Sequence, residues 1–277
     1  MNRLDPAKQT QVVAALVEGN SIRATVRMTG VAKNTITKLL LELGAACSEY
    51  MNRTLVNLPC QRVQMDEIWS FIGAKNDNVT PKIRERNPHA GDVWTWVAMD
   101  ADTKLICSWL VGGRGLPEAT QFVNDIASRM RNRIQLSSDG HRPYVFTVPH
   151  AFEGHVDFGI LVKYYGHDPE TEKRYSPAKC IGCDRKAITG NPDPNHISTS
   201  YIERQNLTMR MSIRRFTRLT NAFSKKIENH IASIAIHYMH YNFVRIHQTL
   251  RVTPAMAAGV AASPWTIEQL VSLRDLG

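Results

Sequence analysis

Three acidic residues, far apart along the chain, stand where a carboxylate needs a specific reason to be present. Asp66 interrupts an apolar run, Asp139 follows a second apolar run, and Glu203 begins a stretch that is otherwise basic. A buried carboxylate is costly unless it is paired or binds a cation. If the three converge, two carboxylates about 4 Å apart repel by about 4 kcal/mol at an effective dielectric constant of 20. The cluster would then take up protons or bind divalent cations.

Oxygen ligands of this kind suit Mg²⁺ or Mn²⁺. Two such ions about 3.5 to 4 Å apart can stabilise both the attacking and the leaving oxygen of an in-line phosphoryl displacement. The chemistry predicted for Asp66, Asp139 and Glu203 is therefore a metal-dependent reaction at a phosphodiester. Such a reaction requires no covalent protein nucleophile, and none stands out in the sequence.

The segment from residue 198 to 219 is predicted to present Glu203 on a helix, because hydroxyl side chains that can cap a helix precede apolar residues at helical spacing. At 100° per residue, Arg210 and Arg214 lie about 20° to either side of Glu203, so they could hold a phosphate beside it. A competing interpretation is that Ser200 and Glu203 form a capping box with a purely structural role. The basic excess favours the first interpretation. Up to Lys226 the only acid is Glu203, and the bases are Arg204, Arg210, Arg214, Arg215, Arg218, Lys225 and Lys226.

The whole chain is basic. Its 277 residues include 34 Lys and Arg against 25 Asp and Glu, a formal charge of +9, and 43% of them are hydrophobic. This balance favours a polyanionic partner, nucleic acid first, and the length allows one large domain and one small one. Five cysteines and a polar amino terminus argue against a secreted disulfide framework, and no apolar run is long enough for a membrane span. We expect a protein of the reducing cytoplasm with no membrane partner.

Residues 1–45 predict a small all-α helix-turn-helix domain. Asp5 and Ser21 can cap two short helices, a glycine marks a turn, and a third helix is expected over residues 33–43. In such a motif the first residues of the last helix contact base edges in the major groove. The predicted DNA-contacting residues are Lys33, Asn34, Thr35, Thr37 and Lys38. A three-helix bundle used for protein contacts is the alternative, and residues 46–60 are predicted to be a linker.

Residues 61–250 predict a separate α/β domain. Apolar runs indicate five strands, with one helix before the fourth and another before the fifth. The strands are expected near residues 62–73, 93–99, 105–111, 134–138 and 160–165. This order matches a ribonuclease-H-like catalytic domain with a mixed five-stranded sheet flanked by helices. Because paired strands lie about 5 Å apart, Asp66 in the first strand and Asp139 at the end of the fourth can approach each other if these two strands pair.

An insertion loop is expected at about residues 166–197, because this polar stretch is too long for an ordinary connection. It contains Cys180 and Cys183, whose spacing is half of a zinc site, with His167 and His196 as the nearby histidines. The alternative is a tight turn whose thiols stay free. Residues 251–277 are predicted to be a C-terminal tail.

Several motifs carry a resemblance to a known family. They are Met65-Asp66-Glu67-Ile-Trp, Ser138-Asp139-Gly140, the segment from Ser198 through Glu203 to Arg210, and the ending from Tyr241 to Pro254. Together these motifs are similar to bacterial DDE transposases of the insertion-sequence-one family, and the similarity covers most of the chain. The interval of 64 residues between Asp139 and Glu203 is long, and the excess lies in the loop that contains Cys180.

The resemblance implies an enzyme that cuts at the ends of its insertion element and joins the 3′-hydroxyls to target DNA. Asp66, Asp139 and Glu203 would form the catalytic triad and bind Mg²⁺ or Mn²⁺, two ions in all. Arg210 would contact DNA, and the N-terminal helices would bind the terminal inverted repeats. We expect a homo-oligomer on DNA, associated with the bacterial nucleoid in the cytoplasm.

A non-catalytic, transposase-derived DNA-binding repressor is the alternative function. It would keep the helix-turn-helix and the scaffold, and it would bind its site equally well in EDTA. The presence of all three acids argues against it. A stand-alone ribonuclease-H-type nuclease is a third interpretation, and such an enzyme would not need the N-terminal helices.

Overall fold

A mixed six-stranded sheet lies at the centre of the protein, whose computed structural model describes residues 4–166, 180–217 and 220–275. The strands are β1 Arg62–Ile72, β2 Gly91–Asp100, β3 Ile106–Gly112, β4 Ile134–Ser138, β5 Val156–Tyr165 and β6 Cys180–Thr189. They stand in the order β3-β2-β1-β4-β5-β6. β4 is parallel to β1 and β5, and the other neighbouring pairs are antiparallel. This architecture is compatible with a ribonuclease-H-like fold.

The sheet has one strand more than the five predicted. β6 lies within the segment expected to be an insertion loop, and it pairs with β5 from Phe158 opposite Thr189 to Tyr165 opposite Cys180. The loop prediction is therefore wrong for residues 180–189, and residues 167–179 lie outside the described part of the chain. β6 is an edge strand whose side chains are mostly exposed. Its sequence consequently lacks the apolar alternation by which a strand is recognised.

Helices cover both faces of the sheet. They are α1 Pro6–Val17, α2 Ile22–Thr29, α3 Lys33–Thr54, α4 Pro81–Arg86, α5 Leu116–Arg129, α6 Pro143–Ala151, α7 Ser200–Ser212, α8 Ile227–Met239, α9 Pro254–Ala257 and α10 Ile267–Ser272. α5 packs against α6 and β3, whereas α7 packs against β1 and β2. Neighbouring side chains of β1 reach the two layers, since Asp66 is hydrogen-bonded to α7 and Glu67 to α6.

The N-terminal helices form where the capping residues predict, but they share one hydrophobic core with the sheet. α3 continues to Thr54, past the predicted boundary at residue 45 and through most of the linker expected at residues 46–60. α3 packs closely on α8, and the glycine at position 44 permits this approach. A Cβ atom at Gly44 would lie 2.5 Å from the Cβ atom of Ala232. The second half of α3 buries few apolar side chains, so its helical pattern is weak in the sequence.

The C-terminal segment is folded rather than a tail. α10 packs against α1, and Leu270 and Val271 are buried. α8 begins at Ile227, and a π-helix from His240 to Val244 continues it. None of the helices in the described ranges has the length and apolar character needed to cross a lipid bilayer.

Candidate active site

Asp66 lies in the middle of β1 with its carboxylate turned toward α7. Its Oδ2 atom accepts a hydrogen bond from Nδ2 of Asn206 at 2.8 Å, and its Oδ1 atom accepts one from the backbone N–H of Glu67 at 2.8 Å. Burial raises the pKa of Asp66 to about 7, with added contributions from the charges of Glu67, Asp139 and Glu203. Asp66 is therefore a carboxylate whose ionised form needs a positive partner.

Asp139 approaches from the neighbouring strand. It follows the last residue of β4, which runs parallel to β1, and its Oδ1 atom accepts a hydrogen bond from the backbone N–H of His141 at 2.9 Å. One carboxylate oxygen from each of Asp66, Glu67 and Asp139 lies within 4.8 Å of the other two. These three residues are called the acidic cluster below. The structure thus brings Asp66 and Asp139 together, as the strand order predicts.

Glu67 belongs to the acidic cluster, although no function was predicted for it from the sequence. Its side chain is 0% exposed, the hydroxyl of Tyr144 donates to its Oε1 atom, and Nε of Arg114 donates to its Oε2 atom at 3.1 Å. The guanidinium carbon of Arg114 lies 4.5 Å from the centroid of the Trp94 ring. Burial raises the pKa of Glu67 to about 7, although the hydrogen bonds from Tyr144 and Arg114 oppose the increase. The sequence signal that could have identified Glu67 is its position directly after Asp66 in the same strand.

The position of Glu203 depends on how α7 is anchored to β1. Oε1 of Gln64 accepts hydrogen bonds from the backbone N–H groups of Tyr201 at 2.9 Å and Ile202 at 3.1 Å. A side chain of the strand therefore satisfies donors in the first turn of the helix. One turn further on, Asn206 makes its hydrogen bond to β1. These contacts fix the N-terminal half of α7 against the strand that carries Asp66.

Glu203 lines the same cleft as Asp66 and Asp139, but it is not part of the close acidic cluster. The hydroxyl of Thr199 donates to Oε1 of Glu203 at 2.5 Å, and the ammonium group of Lys163 donates to the same oxygen. The capping box proposed as the alternative role of Glu203 is not formed. Thr199 is the N-cap residue, and its own side chain makes no cap hydrogen bond.

The donor set of the cleft fits a hard divalent cation. Carboxylate oxygens are the ligands that Mg²⁺ and Mn²⁺ prefer, and Asp66 and Asp139 offer them from adjacent strands. Asp66 and Glu67 both have pKa values of about 7, which means that the positive charge around them does not fully compensate two buried carboxylates. A divalent cation bound at the acidic cluster would supply that charge.

The two arginines predicted on the Glu203 face have different positions. Arg210 lies in the last turn of α7, whereas the helix ends at Ser212 and Arg214 lies in a separate 3₁₀ turn. The prediction that Arg214 shares the helical face of Glu203 is therefore wrong. Ile213 and Phe216, which made the helical pattern look continuous, are buried around that turn. Residues 218 and 219 lie outside the described ranges.

The predicted DNA-contacting residues stand at the start of α3, where most of them are accessible. The exposed ones are Lys33, Asn34, Thr35 and Lys38. Thr37 is half-buried, and its hydroxyl donates to the backbone carbonyl of Lys33 at 3.0 Å. Lys38 forms an exposed ion pair with Glu42 at 3.7 Å. Accessible side chains are what a DNA-contacting surface requires, and contact with DNA stays a prediction.

Cys180 and Cys183 are free thiols on the exposed edge strand β6. The alternative of a tight turn is wrong, because Cys183 is paired with Lys163 of β5 and Cys180 with Tyr165. Within the described residues, the one group of three or more metal-ligating side chains is the acidic cluster, which does not include these thiols. His167, a predicted neighbour, lies outside the described ranges. The zinc prediction for Cys180 and Cys183 stays untested.

The fold and the site together define an α/β protein with an acidic cluster where two parallel strands meet, in which Glu67 is buried and Asp66 and Asp139 are half-buried. No model of a known protein family matches the chain, and no curated protein matches it. The functional interpretation therefore depends on the residues of the cleft and their arrangement.

Proposed function

We propose that this chain is a DDE-type DNA transposase, which cuts at the ends of an insertion element and transfers the 3′-hydroxyl ends to target DNA. The observation that supports this most strongly is the approach of Asp66 and Asp139 from adjacent parallel strands, with Glu203 lining the same cleft. An acidic cluster in a chain of net charge +9 also fits a polyanionic substrate handled with bound cations.

Asp66, Asp139 and Glu203 are the residues that would hold Mg²⁺ or Mn²⁺, in a site for two ions. When bound, these ions would activate the attacking oxygen and neutralise the leaving oxygen. The chain itself orients the ligands, since Asn206 donates to Asp66 and Thr199 donates to Glu203. Such hydrogen bonds hold metal-binding carboxylates in place before the cation arrives.

DNA is the proposed partner at two places on the protein. The exposed start of α3 would bind the terminal inverted repeats through the side chains named above, and Arg210 at the end of α7 would contact DNA near the cleft. Because two element ends must be processed together, the active form would be a homo-oligomer on DNA. The protein would work in the bacterial cytoplasm, associated with the nucleoid.

The proposal is tested by incubating the purified chain with labelled duplexes of the element ends and Mg²⁺, then resolving cleaved and strand-transferred products. Asp139→Asn should abolish both products, because it removes a ligand charge from the acidic cluster. Asp157→Asn is the matched control, since this carboxylate pairs with Arg133 at 2.7 Å and does not line the cleft. Full activity of Asp139→Asn would overturn the assignment.

The repressor alternative makes a different prediction about cations. A repressor would bind the element ends with the same affinity in Mg²⁺ and in EDTA, and it would give no cleaved product. A transposase should cleave the duplex only when the cation is present. Cleavage should be lost when Asp66 or Asp139 is neutralised. Gel-shift and cleavage assays on the same duplex separate the two functions.

A further inference from the structure

Lys163 places a positive charge directly on one of the proposed metal ligands. It lies on β5, the neighbour of β4, which ends just before Asp139, and it lines the cleft with Asp66, Asp139 and Glu203. Its ammonium group donates to Oε1 of Glu203, and its side chain is 25% exposed. Thr199 donates to the same oxygen, so neither donor uses the Oε2 atom of Glu203.

Other cationic side chains that line the cleft are placed differently. Arg114 is bound to Glu67 through Nε and Nη2, both 3.1 Å from Oε2, and it also packs on the Trp94 ring. Arg142 is exposed at the start of α6. Lys163 is the cleft cation that directly contacts a proposed metal ligand, and a divalent cation on Glu203 would repel its ammonium group.

On the basis of the proposed function, we propose that Lys163 is a substrate-positioning residue that exchanges partners. Its ammonium group competes with the divalent cation for Glu203, and once the cation is bound it holds a backbone phosphate of the DNA in the cleft. A lysine suits this exchange because its charge is compact, its stem is flexible and its ammonium group binds phosphate as a point charge. A partly exposed ion pair contributes little to stability, so this contact is easily given up.

The exchange predicts two opposite effects of Lys163→Gln, and neither depends on catalysis. Isothermal titration of the DNA-free protein with Mn²⁺ should show tighter binding by about twofold to fivefold, the range expected for removing one exposed ion pair. In Ca²⁺, binding of a labelled duplex of mixed sequence should weaken. The slope of log K against log salt should become less steep by about 0.9, the contribution of one phosphate contact.

Lys186→Gln is the matched control. Lys186 lies on β6, next to the strand of Lys163, and it is exposed and outside the set of cleft-lining residues. This variant should leave Mn²⁺ affinity unchanged and should not alter the salt slope. Lys163→Arg keeps the charge and should restore the wild-type salt slope. Circular dichroism should show that all three variants are folded.

The outcomes separate this inference from the proposed function. If Lys163→Gln leaves either Mn²⁺ affinity or the salt slope unchanged, the exchange is overturned while the transposase proposal stands. Tighter Mn²⁺ binding with an unchanged slope would make Lys163 only a counter-charge of Glu203. If the wild-type protein binds no divalent cation in the cleft, the proposed function itself fails, and the inference fails with it.

Discussion

Asp66→Asn should make the cation-free protein more stable at pH 8, even though it alters a candidate catalytic residue. The folded protein raises the pKa of Asp66 from 3.8 to about 7, chiefly by burial and then by Glu67 and Asp139. At about 1.4 kcal/mol per pKa unit, keeping this group ionised in the fold costs about 4 kcal/mol. Asparagine carries no charge, and its one side-chain oxygen can accept the hydrogen bond from Asn206. The backbone N–H of Glu67 then loses its side-chain acceptor, a cost of about 1–3 kcal/mol that does not change with pH.

The sign of the pH dependence follows from linkage. A raised folded-state pKa means that the native protein binds more protons than the unfolded chain between the two pKa values, so stability falls as pH rises through this window. The stability that the raised pKa of Asp66 contributes is fully present below pH 3.8 and is lost by about pH 7. Between pH 5 and pH 7, the stability difference between Asp66→Asn and the wild type should widen by about 2 kcal/mol.

The measurement is urea unfolding in EDTA at pH 5, 6, 7 and 8, followed by fluorescence. Asp157→Asn is the control with the opposite sign, because the hydrogen bond from Arg133 lowers the pKa of Asp157. The stability contributed by Asp157 is present above its unfolded-state pKa and is lost only as pH falls below it. Its difference from the wild type should therefore stay constant from pH 5 to pH 8.

Addition of Mg²⁺ at pH 8 gives a second comparison on the same samples. A ligand that binds only the folded state stabilises it by RT ln(1 + [L]/Kd), so the wild type should gain stability. Asp66→Asn should gain much less, and the difference between the two proteins should shrink. A difference that stays constant across all four pH values would show that burial does not raise the pKa of Asp66.

Three further predictions concern packing, the acidic cluster and DNA. Gly44→Ala should lower the free energy of unfolding by about 1–3 kcal/mol by overpacking the contact with Ala232, and the added substitution Ala232→Gly should recover part of the loss in thermal unfolding. Tyr144→Phe removes the hydroxyl donor from the buried Glu67 and should cost about 1–3 kcal/mol in urea unfolding, whereas an unchanged midpoint would argue against this hydrogen bond. The affinity of the wild type for duplex DNA, measured by fluorescence anisotropy, should fall with salt by about 0.9 in log–log slope per phosphate contact, and a flat dependence would contradict a cationic DNA surface.

The sequence by itself determined the elements whose signals are local. Side-chain caps at Asp5 and Ser21 mark the starts of α1 and α2, and the apolar run around Asp66 marks β1. These predictions hold because capping and burial patterns depend on residues a few positions apart. The sequence also indicated that Asp66 and Asp139 can approach each other if their strands pair, and β1 and β4 are paired in the structure.

Only the tertiary structure decided the features that depend on distant partners. Gln64 of β1 satisfies the first turn of α7, Glu67 is held by a tyrosine and an arginine from other elements, and Lys163 of β5 reaches Glu203. The edge strand β6 and the end of α7 before Arg214 were likewise missed. Hydrogen bonds between elements and the burial of single side chains produce no repeating pattern of residue types in the sequence. Their geometry exists only once the sheet and its helices have packed.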